Sequence, residues 1–276
     1  MPLKDLMVHV GTDPAGPTRV DVAVALAVAH GAHLTGLHVM TRPVLPGFVE
    51  LELPASVHEA QTQWLRTEAD RAAAVFDSRV RAAGIPAEWR AVEGGLVATA
   101  TVHARYADLA VVGQGLDASE LGPEASLLPD ELVMTVGRPV LMVPTYGTFP
   151  TIGERVLIGW NGGREATRAV NDAIPLLARA RKVTVLAVDP PVGSTPRLPG
   201  ADIALHLARH GITVEAAQTQ ATDIDVGDVL LSYAADIGAD LIVTGAYGHS
   251  RVREVILGGV TRHLLRHMTV PVLMSH

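Results

Sequence analysis

The 276-residue sequence lacks cysteine altogether. A disulfide framework, a cysteine-ligated metal and a thiol nucleophile are therefore excluded. Two catalytic motifs are also missing: the Gly-x-Ser-x-Gly of a nucleophile elbow and the Gly-Lys-Ser/Thr of a P-loop. Nothing in the sequence pairs a nucleophile with a base, so any ATP hydrolysis is predicted to be slow.

Aromatic and charged residues are scarce, at 4% and 18% of the chain, and the formal net charge is −7. A nucleic-acid-binding protein normally carries a basic field, so this balance argues against that class of partner. Hydrophobic residues make up 48%, mostly alanine, valine and leucine, which predicts a core of closely packed aliphatic side chains.

Residues 22–41 carry no Asp, Glu, Lys or Arg over a length close to a membrane span. Three histidines and two glycines interrupt this stretch, and it divides into a helix over 19–30 and a strand over 33–40. We therefore expect a buried helix–strand pair and no membrane segment. The N-terminus also lacks the pattern of a signal peptide, and the protein is predicted to be soluble and cytoplasmic.

The chain contains an internal repeat. Residues 107–113 (ADLAVVG) match residues 239–245 (ADLIVTG) at an offset of 132, and residues 139–142 match 271–274 at the same offset. A linker rich in Pro, Gly and Thr lies between the copies at 144–153. The sequence therefore predicts a tandem duplication with domains at 1–146 and 152–276.

Each half alternates strands with helices, which predicts two tandem α/β domains, each a doubly wound sheet of five parallel strands. The predicted strands are 5–10, 33–40, 87–92, 108–112, 139–143, 155–160, 182–188, 213–219, 240–244 and 271–275. Ligands of such folds bind beyond the carboxyl ends of the strands, where the strand order reverses. With a flavodoxin-like order, strands one and four of each half would flank that crevice.

In the second half, three segments are expected to lie together at this crevice: residues 161–164, residues 188–189 and a glycine-rich stretch after the fourth strand. Gly245 and Gly248 open that loop, and Gly258 and Gly259 precede a predicted helix over 260–267. Glycines let backbone N–H groups approach a phosphate, and a helix N-terminus adds donors and a favourable dipole. A turn followed by a helix cap, without a ligand, is the alternative interpretation.

These glycines read Gly245-x2-Gly248-x9-Gly258-Gly259, which resembles the Gly-x2-Gly-x9-Gly-(Ser/Thr) motif of the universal stress protein family. The Ala-Asp-Leu-Ile-Val strand before the loop and the terminal Val-Pro-Val-Leu run are also typical of that family. The resemblance covers both halves, so the chain is similar to a tandem universal stress protein.

The resemblance implies an ATP site in the C-terminal half, with or without Mg2+. It places Gly245, Gly248 and Gly258 at the phosphates, Val188 beside the adenine, and the loop that carries Gly162 near the ribose. Gly259 stands where the family has Ser/Thr, and Thr261 is expected to supply the hydroxyl. Asn161 stands where the family has Asp and can still form a hydrogen bond with the ribose.

The first half departs further from the motif. At the offset of 132, Gly248 becomes Leu116 and Gly258 becomes Ser126, and the loop over 113–135 carries five acidic residues without Lys or Arg. The negative charges there would repel a phosphate, and the Leu116 side chain would occupy the place where the backbone should approach it. We therefore predict that the first half does not bind nucleotide in this way.

Three hypotheses for the function remain open. The main one is a nucleotide-binding regulatory protein of the stress response, with ATP or ADP as ligand and an unknown protein partner. A slow ATPase or autophosphorylating protein is the second, and an interaction module with two degenerate sites is the third.

The last strands of the two halves, over 140–143 and 272–274, are expected to pair antiparallel about a pseudo-twofold axis, as the resemblance implies. A further homodimer is compatible with the sequence. The helical pairs His206/His210 and His263/His267 have the spacing of metal ligands, but solvent-exposed helix residues are the favoured interpretation, since no third ligand is spaced with them.

Overall fold

The computed structural model of the chain describes residues 2–42, 54–115, 123–189, 200–222, 224–248 and 259–276. The strands of these ranges are β1 (Asp5–His9), β2 (His33–Met40), β3 (Ala87–Glu93), β4 (Leu109–Gly113), β5 (Val140–Val143), β6 (Arg155–Gly159), β7 (Lys182–Val188), β8 (Val214–Thr219), β9 (Leu241–Gly245) and β10 (Val272–Ser275). The helices are α1 (Gly16–His30), α2 (Ala55–Ala83), α3 (Leu96–Ala104), α4 (Pro123–Thr135), α5 (Arg164–Leu177), α6 (Ala201–Arg209), α7 (Val226–Asp236) and α8 (Gly259–His267).

The strands form one sheet with the order β3-β2-β1-β4-β5-β10-β9-β6-β7-β8. Each half is a parallel five-stranded unit with the order 3-2-1-4-5, which confirms the predicted fold class. The observed order begins as in Rossmann folds and differs from the flavodoxin-like order that was assumed in placing the crevice. The first and fourth strands nevertheless flank the reversal in strand order, as predicted.

The two units join through β5 and β10, the only strand pair in the described sheet that is antiparallel. Val272 lies opposite Met142, Leu273 opposite Leu141 and Met274 opposite Val140. The predicted pairing of the last strands is therefore confirmed. The division into domains at 146 and 152 stays a prediction, although β5 ends at Val143 and β6 begins at Arg155.

Successive strand residues point to opposite faces of the sheet, and both faces are apolar. Leu109 and Val111 belong to one hydrophobic cluster, which α1, α2, α5 and α6 cover. Ala110 and Val112 belong to the other, which α3, α4, α7 and α8 cover. Both clusters continue across the β5–β10 junction, because each contains residues of both halves.

The long uncharged stretch forms α1 and β2, as predicted. Helix α1 begins three residues earlier than expected, with a proline in its first turn, which suits the fixed φ of that residue. It ends at His30, and the following Gly31, with a φ of 62°, forms the left-handed C-terminal cap that glycine favours. Across the described ranges, no helix is both long and apolar enough to cross a bilayer.

The repeated Ala-Asp-Leu motif has a structural role. The Asp108 carboxylate accepts hydrogen bonds from the backbone N–H groups of Lys4 (2.7 Å) and Asp5 (3.1 Å), where β1 begins. Asp240 does the same for Gly153 (3.0 Å) and Arg155 (3.0 Å), where β6 begins. The two aspartates therefore join the first and fourth strands of each half at the edge opposite the predicted crevice.

Candidate functional site

The predicted crevice lies where β6 and β9 end, since these neighbouring parallel strands pair up to Gly159 and Thr244. The loops that follow them bring Asn161 close to Gly248: a Cβ on Gly248 would lie 3.9 Å from Asn161 Nδ2. Val188 ends β7 on the other side of β6 and is half-buried. Gly258 lies outside the described residues, and Gly259 is the first residue of α8.

Gly245 is required by packing alone. A Cβ at this position would lie 2.4 Å from the Ala166 amide nitrogen and 2.5 Å from the Glu165 carbonyl carbon. The end of β9 therefore rests directly on the backbone of the first turn of α5. A glycine here needs no ligand to explain it.

Gly248 faces a carboxylate that the sequence analysis did not identify. A Cβ on Gly248 would lie 2.9 Å from Glu165 Oε2. The Glu165 side chain is 8% exposed, whereas its partner Arg164 is 83% exposed and donates from Nε (3.0 Å) and Nη2 (2.8 Å) to Glu165 Oε1. A negative charge thus lies next to the loop to which the motif assigns phosphate binding.

The Glu165 carboxyl is held in its charged form. Burial raises its pKa, but its own backbone N–H, Arg164 and His276 together act more strongly and lower the pKa below the ordinary value. The sequence signal for this residue was weak, because an acidic side chain in the first turn of a helix is common on dipole grounds alone.

Asn161 and Gly162 shape the turn before α5. Asn161 Oδ1 accepts a hydrogen bond from the Gly163 N–H (2.8 Å), which leaves the Nδ2 group as the donor of that side chain. Gly162 has a φ of 72°, which glycine adopts without strain. Apart from adjoining backbone, no atom of the part of the chain that the structure describes lies within 4 Å of a Cβ on Gly162 or Gly259.

Thr261 contacts the start of the glycine loop from α8. It is buried, and its Oγ1 accepts a hydrogen bond from the Tyr247 N–H (3.2 Å). The predicted hydroxyl is therefore at the loop, and its observed partner is the loop backbone.

Tyr247 is a second residue that the sequence analysis missed. It adopts a φ of 56°, which is uncommon for a residue with a Cβ. Its hydroxyl donates a hydrogen bond to Asp130 of α4, in the N-terminal half. Burial and then Asp130 raise the pKa of this phenol well above its ordinary value, so it stays protonated as a donor.

The equivalent crevice of the N-terminal half is filled by an ion pair. Arg19 is 3% exposed; its Nε donates to the His9 carbonyl (2.7 Å) and its Nη2 to Asp13 Oδ2 (2.7 Å). A Cβ on Gly113, the counterpart of Gly245, would lie 2.2 Å from Arg19 Nη1. The prediction for this half also used the acidic residues of its loop. The structure does not describe residues 117 and 120 or the side chain of residue 124.

Burial raises the pKa of Asp13, but Arg19 opposes it more strongly, so the pKa falls below its usual range. Burial and Arg19 lower the pKa of His9 to about 3. The crevice therefore holds a charged pair beside a neutral imidazole.

The histidine pairs form close ring contacts, with centroids 4.8 Å apart for His206/His210 and 4.6 Å for His263/His267. His263 Nε2 also lies 2.8 Å from Asp228 Oδ1 on α7. Among the described residues, no group of three or more His, Asp or Glu side chains is placed to hold a metal ion.

Residues 153–276 match the model of the universal stress protein family. Universal stress protein Slr1230 of Synechocystis is 27% identical over 148 residues, which are 52% of this chain; the match spans 49% of that protein, about half its length.

Several solved structures resemble nearly the whole fold, among them two universal stress proteins. A universal stress protein from Archaeoglobus fulgidus gives a TM-score of 0.76 at 16% identity, covering 98% of this chain and 95% of that one. A putative universal stress protein from Pseudomonas aeruginosa gives 0.58 at 14% identity, covering 99% and 93%. At these identities the likeness concerns the fold alone.

Proposed function

We propose that this chain is a universal stress protein that binds nucleotide and regulates the stress response. Residues 153–276 match the model of that family, and the same fold is repeated in the N-terminal half. The proposed ligand is ATP or ADP, with or without Mg2+, and the proposed site is the crevice between β6 and β9. One nucleotide binds per chain, and the N-terminal half binds none.

The observation that carries this proposal is a difference between the crevices of the two halves. In the N-terminal crevice, the Arg19 guanidinium and Asp13 fill the space between the loops after β1 and β4. With β1 aligned on β6, which begins 150 positions later, the residue equivalent to Arg19 is Ala169, and its methyl group cannot reach across the crevice. At the turn at Gly162 and the start of α8 at Gly259, apart from adjoining backbone, no described atom lies within 4 Å of an added Cβ. A phosphate can approach backbone N–H groups only where side chains leave such space.

The residues at the carboxyl ends of β6, β7 and β9 offer the types of group that bind the phosphates, base and sugar of a nucleotide. Gly162, Gly248 and Gly259 present backbone without a Cβ, and the N-terminus of α8 adds a favourable dipole for phosphate. Val188 offers an apolar contact for a base, and the Asn161 amide nitrogen offers a donor for a sugar hydroxyl. These roles involve binding and orientation, and none of them requires hydrolysis.

A second function, an interaction module without a nucleotide, is favoured by one observation. The Glu165 carboxylate lies next to Gly248, and Gly245 is explained by packing alone. A buried like charge at close range disfavours a phosphate by about a kcal/mol or more. Under this alternative, the loop serves only to join β9 to α8.

The proposal is tested by calorimetric titration of the intact chain with ATP, ADP and adenosine, with thermal melts beside it. We expect saturable binding of ATP at one site and a stabilisation of about 2.7 kcal/mol when free ATP is about a hundred times its Kd. Gly248→Val should abolish both effects, because the new side chain would crowd Glu165 and displace the loop backbone that is proposed to bind the phosphates.

Gly95→Val is the matched control, because Gly95 precedes a helix in the N-terminal half with an extended backbone and open space around it. This variant should bind ATP as the unmodified chain does. If none of the three ligands binds or raises the melting temperature, the interaction module is the better account.

A further inference from the structure

The glycine loop of the C-terminal half is attached to the N-terminal half. The Tyr247 hydroxyl donates a hydrogen bond to Asp130 Oδ1, across 117 positions of sequence and across the junction between the halves. We propose that the N-terminal half, which lacks an open crevice of its own, positions the loop of the C-terminal site through Asp130. The consequence for ligand affinity rests on the proposed nucleotide function, whereas the positioning itself does not.

The backbone of Tyr247 needs support from its surroundings. Its φ of 56° is disfavoured for a residue with a Cβ, and such conformations persist where the surrounding structure fixes them. The Tyr247 N–H donates to Thr261 Oγ1 (3.2 Å) on α8, and the ring packs against the hydrophobic cluster that both halves share. The bond to Asp130 fixes the far end of the ring. The side chain therefore links the loop, α8 and α4.

Asp130 lies on a helix that is firmly seated. Its neighbours Leu128, Leu132 and Val133 are buried in the cluster that also contains Met268 and Val272 of the C-terminal half. Helix α4 also contacts β10 directly. The carboxylate thus extends from a fixed helix, and its acceptor atom has a defined position for the Tyr247 hydroxyl.

A second contact between the halves holds the other end of α8. Gln114 is buried; its Nε2 donates to the Arg266 carbonyl (2.9 Å) in the last turn of α8, and its Oε1 accepts from the Thr145 N–H (3.1 Å). Gln114 follows β4 at the position that Ala246 occupies after β9. The N-terminal half therefore contacts both the glycine loop and the end of the helix whose start belongs to the proposed site.

Positioning through hydrogen bonds predicts coupling between the two partners. Tyr247→Phe and Asp130→Asn each weaken the same bond, so either change should release the loop and the double variant should lose little more. Tyr146→Phe is the matched control, because it removes the hydroxyl of a tyrosine that is 77% exposed. All four variants should retain the fold, since none changes a fully buried side chain.

The first measurement needs no ligand. Amide NMR spectra and hydrogen exchange of Gly245, Gly248 and Thr261 report the loop and the start of α8. We expect shifted resonances and about tenfold faster exchange in Tyr247→Phe, Asp130→Asn and the double variant, with Tyr146→Phe unchanged. Spectra and exchange that do not differ from those of the unmodified chain would overturn the positioning role.

The second measurement is the Kd of ATP, with the denaturation midpoint measured beside it. We expect each single variant to weaken ATP binding about tenfold, and the double variant by about the same factor. ATP affinities equal to that of the unmodified chain, or a double variant that loses the product of the two single effects, would contradict positioning by this bond. If the unmodified chain binds no ATP, the proposed function fails, and the amide measurement still decides the positioning claim.

Discussion

Replacing Gly245 by alanine should destabilise the protein whether or not a ligand binds. The new Cβ would lie 2.4 Å from the Ala166 nitrogen, about 1 Å short of ordinary van der Waals contact. Its neighbours are backbone atoms of the first turn of α5, which cannot rotate away as a flexible side chain does. We therefore expect the upper part of the overpacking range, about 2–3 kcal/mol of unfolding free energy. For a chain of this length that corresponds to a fall in Tm of about 4–6 °C.

Gly259→Ala is the matched control, because no described atom lies within 4 Å of its Cβ and alanine suits a helix start sterically. Guanidinium denaturation should give a midpoint close to that of the unmodified chain for Gly259→Ala and a clearly lower one for Gly245→Ala, with similar slopes. A Gly245→Ala variant as stable as Gly259→Ala would refute the argument that packing requires this glycine.

Three further predictions concern charged groups. Arg19→Met should cost about 3–5 kcal/mol in denaturation, because it leaves the Asp13 carboxylate without its buried partner; adding Asp13→Asn should recover part of the loss, and a cost below about 1 kcal/mol would contradict the ion pair's role. The pKa of His9 is about 3 in the folded chain and 6.5 in the unfolded chain, so the unfolded chain binds more protons between these pH values. The free energy of unfolding should therefore fall by up to about 1.4 kcal/mol per pH unit as the pH drops from 6.5 towards 3. His9→Asn should flatten this part of the pH profile, and an unchanged slope would exclude His9 as its source. Glu165→Gln should tighten binding of metal-free ATP about tenfold in calorimetry with EDTA, because it removes a like charge beside Gly248; equal or weaker binding would place the phosphates elsewhere.

Much of the fold could be predicted because the same sequence pattern occurs in both halves of the chain. The Ala-Asp-Leu motif recurs at Asp108 and Asp240, and in each half that aspartate caps the start of the first strand. Apolar strand residues alternate between two covered faces, which periodicity alone indicates. Strand order was less accessible, because a pattern of strands and helices does not distinguish the two common doubly wound arrangements.

The candidate site was predicted only in part, because its decisive contacts join distant positions. Spacing identified Gly245 and Gly248, but their neighbour Glu165 lies about eighty positions away in sequence and resembles an ordinary first-turn acid. The bond between Tyr247 and Asp130 and the insertion of Arg19 against Gly113 depend on how side chains cross the crevices. Such tertiary contacts leave no local pattern to detect.

Native mass spectrometry of the intact chain with ATP tests the central claim most directly, since it counts ligands per chain. We predict one bound nucleotide, which is lost in Gly248→Val and retained in Gly95→Val. Two nucleotides per chain would contradict the filled N-terminal crevice, and one nucleotide that survives Gly248→Val would contradict the assignment of the site to the loop after β9.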